Sequence, residues 1–358
     1  MSILVTGGAG FIGSNFIIDW FKSSNEEIIN LDKLTYAANL KNLESVESSK
    51  YPYIFIEWEI CNIELIKSIL LKYNIRGIIN FAAESHVDRS IKDPNIFLQT
   101  NVIGTHSLLN AFNEYLKNNK TSINENFIFL HVSTDEVFGD LGIADQPFKE
   151  SNKYLPNSPY SASKASSDHI ARAYFQTFNL PVIVSNCSNN YGAYQFPEKL
   201  IPLVINNALS NKDITIYGDG HQIRDWLHVS DHCRALRLIM SKGSIGETYN
   251  IGGNAEKRNI DVVNTICEIL DELKPRKDLK SYKKQITFIK DRPGHDKRYA
   301  IDCSKLEKTL NWKQKESFTS GIKKTVDWYL KNIDWLESIN GLEHSVWLEN
   351  QYLSLIHI

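Results

Sequence analysis

Tyr160 and Lys164 stand four residues apart in the run Tyr-Ser-Ala-Ser-Lys. On a helix that spacing puts both side chains on one face. An ammonium beside a phenol favours the phenolate and lowers its pKa. A phenolate can take the proton of a hydroxyl while a hydride leaves the same carbon. Shortly upstream lies Ser-Thr-Asp-Glu-Val-Phe-Gly at 133–139. Asp135 and Glu136 add an acid and a base that a simple oxidation does not need, so the chemistry extends beyond redox. Either feature alone is weak, because Tyr-x-x-x-Lys arises by chance and acidic pairs are usually solvated surface. Their position strengthens both. Residues 127–133, Phe-Ile-Phe-Leu-His-Val-Ser, read as a buried strand, and the pair sits at its end. In parallel α/β sheets that end is where ligands bind. Neighbours within a strand face opposite ways. Both carboxyls therefore reach one ligand only if the strand ends or turns there, which Gly139 allows.

The elements that must position these residues alternate. Strand-like apolar runs fall at 3–5, 28–31, 53–58, 77–82, 127–133 and 182–187, and helical periodicity at 10–21, 64–72, 94–115 and 161–178. This βαβα order predicts a Rossmann-type, doubly wound parallel sheet with helices on both faces. The polar stretch 117–126 reads as a solvated loop. Beyond about 188 the elements shorten and turn signals multiply. The expectation is a dinucleotide-binding domain over 1–188, with a returning strand near 247–251. A smaller mixed α/β substrate-binding region should occupy most of 189–358.

Gly7-Gly-Ala-Gly10-Phe11-Ile12-Gly13 follows the first strand and opens a helix. Glycines there let the backbone turn tightly and let a pyrophosphate approach the helix N-terminus. Asp32 ends the second strand, where a carboxylate can accept ribose hydroxyls and repel a 2′-phosphate. The adjacent Lys33 would tolerate that phosphate, but the balance favours NAD.

The chain has 358 residues, 42% hydrophobic and 23% charged, with net charge -2. That balance excludes nucleic-acid binding driven by bulk positive charge. Five scattered cysteines form no zinc-like cluster and suggest a reducing compartment. No signal peptide, bilayer-length apolar run or metal site is visible, so the expectation is a cytoplasmic protein.

Several runs together resemble a known family. They are residues 6–14, 32–37 (Asp-Lys-Leu-Thr-Tyr-Ala), 82–90 (Ala-Ala-Glu-Ser-His-Val-Asp-Arg-Ser), 133–139 and 160–164. Others follow at 186–192, 196–200, 224–226 and 291–295. With them the chain resembles the extended short-chain dehydrogenase/reductases and, more closely, the dTDP-glucose 4,6-dehydratase family, over nearly its whole length. The resemblance implies that Tyr160 accepts the 4-hydroxyl proton, with Thr134 beside it and Lys164 on the nicotinamide ribose. Glu136 would take the C5 proton and Asp135 would protonate the departing 6-hydroxyl. It places NAD against Gly7, Gly10, Phe11, Ile12, Gly13, Asp32, Lys33, Leu34 and Thr35. Glu59, Ile60, Ala82, Ala83, Thr100 and Asn190 complete that set with Tyr160 and Lys164. It places the sugar nucleotide against Ser85, Thr134, Asn189, Lys199, Leu200, Thr215, Tyr217, Arg224, Asn259, Arg292, His295 and Tyr352, the arginines on the pyrophosphate. A homodimer formed by helices 94–115 and 161–178 is also implied; charge and hydropathy, read above, give no expectation of nucleic-acid or membrane partners.

The chain departs from the pattern at Phe138 (usually tyrosine), Glu59 (usually aspartate), Ala193 (usually proline) and the apolar tail 353–358. A 4-epimerase or decarboxylase of the superfamily would keep the glycine loop, Tyr160 and Lys164, but would not need Asp135 and Glu136. A non-catalytic NAD-binding protein often loses the tyrosine or the lysine. A CDP- or GDP-sugar dehydratase is separated only by pocket shape.

Overall fold

The computed structural model describes residues 1–118 and 127–339. Seven parallel strands form the main sheet: β1 (Ser2–Thr6), β2 (Ile28–Asp32), β3 (Tyr53–Glu57), β4 (Ile75–Asn80), β5 (Ile128–Thr134), β6 (Val182–Cys187) and β7 (Thr248–Ile251). Their order is β7-β6-β5-β4-β1-β2-β3, with every pairing parallel. Every residue of β1, β2, β5 and β6 is buried. Both faces of the sheet are covered, so those strands read as apolar runs rather than alternating ones. One face packs Phe16, Ile17 and Trp20 beneath Leu236 and Ile239. The other packs Ile66, Leu70, Leu108, Phe112 and Ala171.

The order reverses between β1 and β4, and that switch point opens a crevice at the strand ends. A second core covers it, built on Ile205, Ile266 and Ile322. A three-stranded sheet (Asn189–Tyr191, Ile223–His228, Glu256–Arg258) and a parallel pair (Ile214–Tyr217, Ile286–Ile289) belong to this region. This is the expected α/β, doubly wound architecture with a smaller mixed region.

Two local expectations change. The helix expected over 94–115 is three continuous pieces: Pro94–Phe97, a wide π-helical stretch Leu98–Gly104, and Thr105–Asn118. The wide turn has a use, as π-bulges often do at functional sites. Asn101 pins Glu84 through both backbone groups at 2.9 and 3.0 Å and donates to Ser163 Oγ at 2.8 Å. A Cβ on Gly104 would lie 2.5 Å from Ile60. The loop expected over 117–126 begins later, because helix continues through Asn118; its remainder lies outside the described residues, as do Tyr352 and the tail 353–358.

Candidate active site

The glycine loop is shaped by what a side chain would hit. Gly7 sits at φ +70, and a Cβ there would lie 2.7 Å from Ala82 N; on Gly13 it would lie 2.3 Å from Gly7 O. Both neighbours are backbone and cannot swing away. Gly13→Ala should therefore push the helix off the loop and cost both stability and dinucleotide binding, measured by melting temperature and cofactor content; wild-type values for both would refute the packing argument. Helix Phe11–Phe21 starts with no side-chain cap and no acid in its first turn. Its first amides stay available to an anion.

Asp32 is buried at the edge of this loop. Its carboxylate accepts Ala9 N–H and Leu34 N–H, each at 2.9 Å. Each oxygen keeps a lone pair for a ribose hydroxyl. Burial raises its pKa, against the pull of those amides. Lys33 is paired with Glu59 at 2.9 Å, so its charge is not held for a 2′-phosphate. A cavity of about 410 Å³ runs from the loop to the end of β5. Gly7, Gly10, Phe11, Ile12, Gly13, Asp32, Lys33, Thr35, Glu59, Ile60, Ala82, Ala83, Thr100 and Asn190 line it. Leu34 does not; at φ 53 it offers its N–H to Asp32 instead.

The far end of this cavity holds Thr134, Asp135, Glu136, Tyr160 and Lys164. β5 stops at Thr134, and Asp135–Phe138 form a single 3₁₀ turn. Strand alternation has ended, so both carboxyls face the cavity. Thr134 Oγ1 starts the turn by accepting Glu136 N–H at 3.3 Å. Gly139, at φ +88, ends it where a Cβ would lie 2.3 Å from Leu155 O.

Environment separates the two carboxyls. Asp135 is buried, and its Oδ2 has no hydrogen-bond partner among the described residues. Burial first, then the charges of Glu136 and Asp225, hold Asp135 well above the usual carboxyl range. Burial also raises Glu136, but Arg292, Lys199 and Arg224 pull it back. The two environments thus favour a protonated Asp135 beside a more readily ionised Glu136, the kind of split an acid–base pair needs.

Tyr160 sits in the first turn of helix Pro159–Phe178, which a Ser158–Ser161 capping box and Pro159 begin. Tyr160 and Lys164 both line the cavity from this helix. Burial pushes the phenol well up, Glu136 adds to this, and Thr134 opposes it by a hydrogen bond. The lysine shares the helical face but reaches down to β5, where Nζ donates to Val132 O at 2.8 Å. Burial lowers Lys164, and Asp168 on the next turn opposes that. Asp168 also accepts Ser133 Oγ–H at 2.9 Å and Asn186 Nδ2–H at 3.2 Å. It thereby clamps the helix to the register pair Ser133–Asn186 of β5 and β6.

A second cavity of about 180 Å³ shares Glu136, Asn189, Asn190 and Lys199 with the first. Leu200, Thr215, Tyr217, Arg224, Asn259, Arg292 and His295 line it, whereas Ser85 lines the first. Arg224 is aimed by Ile223 O and Asp296 O at 2.8 and 2.9 Å and lies 4.4 Å over the Tyr299 ring. Arg292 meets Asp88 at 3.2 Å. Lys199 Nζ donates to Ser85 O at 2.7 Å. His295 faces Asp291 at 2.6 Å, yet burial and Arg292 push it down to about 4. Arg292 Nε, Asn189 Oδ1 and Thr215 Oγ1 have no partner among the described residues. The unspent Arg292 donor in a cavity lined by two arginines and a lysine suits a diphosphate.

Sequence reasoning missed Asp88, Glu198, Asp296 and Tyr299, which line or brace these cavities. All lie inside or beside the quoted runs, but residue type alone does not say which carboxylate braces an arginine.

A dinucleotide cavity that meets a cationic cavity at an acid–base pair is the site of a redox enzyme acting on nucleotide sugars. The model of the family described as GDP-mannose 4,6 dehydratase matches residues 4–325. The Escherichia coli dTDP-glucose 4,6-dehydratase is 52% identical over 360 residues, covering 98% of this chain and 99% of the relative. The crystal structure of the Bacillus anthracis dTDP-glucose 4,6-dehydratase in complex with NAD superposes with TM-score 0.82 at 46% identity. It covers 95% of this chain and 100% of that one. The Streptomyces venezuelae dTDP-glucose 4,6-dehydratase with NAD and TYD bound gives TM-score 0.85 at 40% identity, with the same coverage. The chain belongs to this family of sugar-nucleotide dehydratases and, within it, to the dTDP-glucose 4,6-dehydratases.

Proposed function

We propose that this protein converts dTDP-glucose to dTDP-4-keto-6-deoxyglucose with NAD as its cofactor. The observation that carries this reading is the pairing of Asp135 and Glu136 on one turn where the two cavities meet. NAD would be held by the glycine loop, Asp32 and the other residues lining the first cavity, and would supply the hydride acceptor for C4 and the hydride donor for C6. Tyr160 takes the proton of the 4-hydroxyl, with Thr134 bonded beside it. The 4-ketone acidifies C5; Glu136 removes that proton and Asp135 gives one to the 6-hydroxyl, which leaves as water, and Glu136 returns a proton to C5 as C6 receives its hydride. Lys164 would hold the nicotinamide ribose. Arg224 and Arg292 take the pyrophosphate, and Lys199, Asn189, Thr215, Tyr217, Asn259 and His295 seat the nucleotide.

The remaining assignments are proposals of the same kind. Residues 1–188 bind the cofactor and most of 189–358 the sugar nucleotide. The protein is a homodimer, supported by the apolar Ile96, Ile103 and Phe178 exposed on the two long helices. No helix among the described residues is long and apolar enough to cross a membrane. A cytoplasmic location is supported by the five free cysteines.

The test is incubation with dTDP-glucose beside UDP-, CDP- and GDP-sugars. A 4-keto-6-deoxy product from the dTDP sugar is expected. A 4-epimer formed without loss of water would move the chain to the epimerases. Denaturing the purified protein should release NAD; predominantly NADP would overturn the Asp32 and Lys33–Glu59 argument.

A further inference from the structure

The cofactor cavity lies between two segments from opposite halves of the chain. One follows β2 and supplies Thr35 and Ala37; the other supplies Phe196 and Glu198. The first is fastened to the cavity floor at both ends: Leu34 N–H donates to Asp32 Oδ1 at 2.9 Å, and Asn39 N–H to Ala9 O at 3.0 Å. Its middle reaches across, where the Tyr36 hydroxyl donates to Glu198 Oε1 at 3.0 Å. The other Glu198 oxygen accepts Arg89 Nε–H at 3.0 Å. The Arg89 guanidinium lies 3.7 Å from the centre of the Tyr36 ring, closing a three-membered cluster. The Glu198 side chain is only 2% exposed. Its hydrogen bonds are charge-assisted, and the carboxylate end of them is buried. Glu198 also lines the second cavity, and its neighbour Lys199 is tied to Ser85.

We propose that Glu198 is a positioning residue: it bridges the Tyr36 segment across the cofactor cavity to the wall of the sugar-nucleotide cavity, and this bridge sets how long NAD is retained. The inference rests on the NAD reading above. Glu198 moves no proton or hydride in the reaction. A dinucleotide leaving between the two segments must first part Tyr36 from Glu198. Because Glu198 and Lys199 also face the second cavity, a nucleoside diphosphate bound there braces the same wall and slows release further.

The experiment uses the full chain purified with its bound cofactor, as wild type, Tyr36→Phe and Glu198→Gln. NAD content is measured after gel filtration, and the release rate by trapping freed NAD with an added NAD-consuming dehydrogenase. Tyr36→Phe keeps the ring over Arg89 and loses one hydrogen bond. It should release NAD about tenfold faster, equivalent to ~1.4 kcal/mol. Glu198→Gln removes the charge from both contacts and should release faster still. Added dTDP should slow release from wild type more than from Tyr36→Phe. Turnover of Tyr36→Phe should be regained when NAD is in excess. Release from both variants at the wild-type rate would overturn the proposal. So would turnover that stays low in excess NAD, since that marks a general structural defect. Wild-type protein that carries no dinucleotide would instead overturn the functional reading on which the bridge rests.

Discussion

Replacing Tyr160 with phenylalanine should slow the first hydride transfer by about 10²–10⁴-fold, the usual contribution of a positioned proton acceptor. The fold should survive. The substitution keeps the ring, and with it the edge contact to Phe97 at 6.3 Å. It removes the hydroxyl proposed to take the 4-hydroxyl proton. The sign of the pH effect follows from the site. Burial and the Glu136 charge hold the phenol in its protonated form. The wild-type rate of the first step should therefore climb as pH rises and the phenol ionises. Tyr160→Phe should lose that dependence. Single-turnover formation of reduced nicotinamide, followed across pH, reads both effects. A variant with the wild-type rate and slope would place the base elsewhere.

Why the phenol is held up is also where sequence reading reached its limit. Spacing correctly put Tyr160 and Lys164 on one helix. It could not show that the Lys164 side chain reaches the backbone of β5, where it donates to Val132 O. Periodicity reports which face a residue takes, not which acceptor lies under it. The strands were legible for a related reason. Val182–Cys187 is buried throughout, and its opening Val-Ile-Val run marks it in the sequence. The helix over 94–115 was legible only in outline. Its π-helical turn answers to contacts made by Asn101 and Gly104 with segments distant in sequence. The Asp135–Glu136 pair shows both sides of this. Its chemistry was readable from residue types, and the objection that strand neighbours diverge was sound. The 3₁₀ turn beginning at Asp135 removes the objection, at the place where Gly139 permitted a turn. The carboxylates Asp88 and Glu198 were hidden because their importance lies in the arginines they meet, which only the folded chain brings to them.

Asp135→Asn and Glu136→Gln should separate dehydration from oxidation. Both substitutions preserve size. The asparagine cannot supply the proton for the 6-hydroxyl, and the glutamine cannot remove the C5 proton. Neither group is needed to take the 4-hydroxyl proton, so each variant should still oxidise C4. Elimination should slow by about 10²–10⁴-fold. Reduced nicotinamide and a 4-keto-hexose should then accumulate, where wild type passes them on. The two variants should also differ from one another. Glu136 adds to the burial that raises both Asp135 and Tyr160. Glu136→Gln removes that charge, so its first step should gain an ionised phenol at lower pH, whereas Asp135→Asn should leave the Tyr160 profile closer to wild type. Wild-type enzyme in heavy water should place deuterium at C5, because a carboxyl exchanges its proton with solvent between removing one hydrogen and returning another. Variants that eliminate water at the wild-type rate, or a product without solvent deuterium at C5, would show that this pair does not do the acid–base work. The chemistry of the site would then have to be sought among the other groups facing the junction, Lys199 and His295 first.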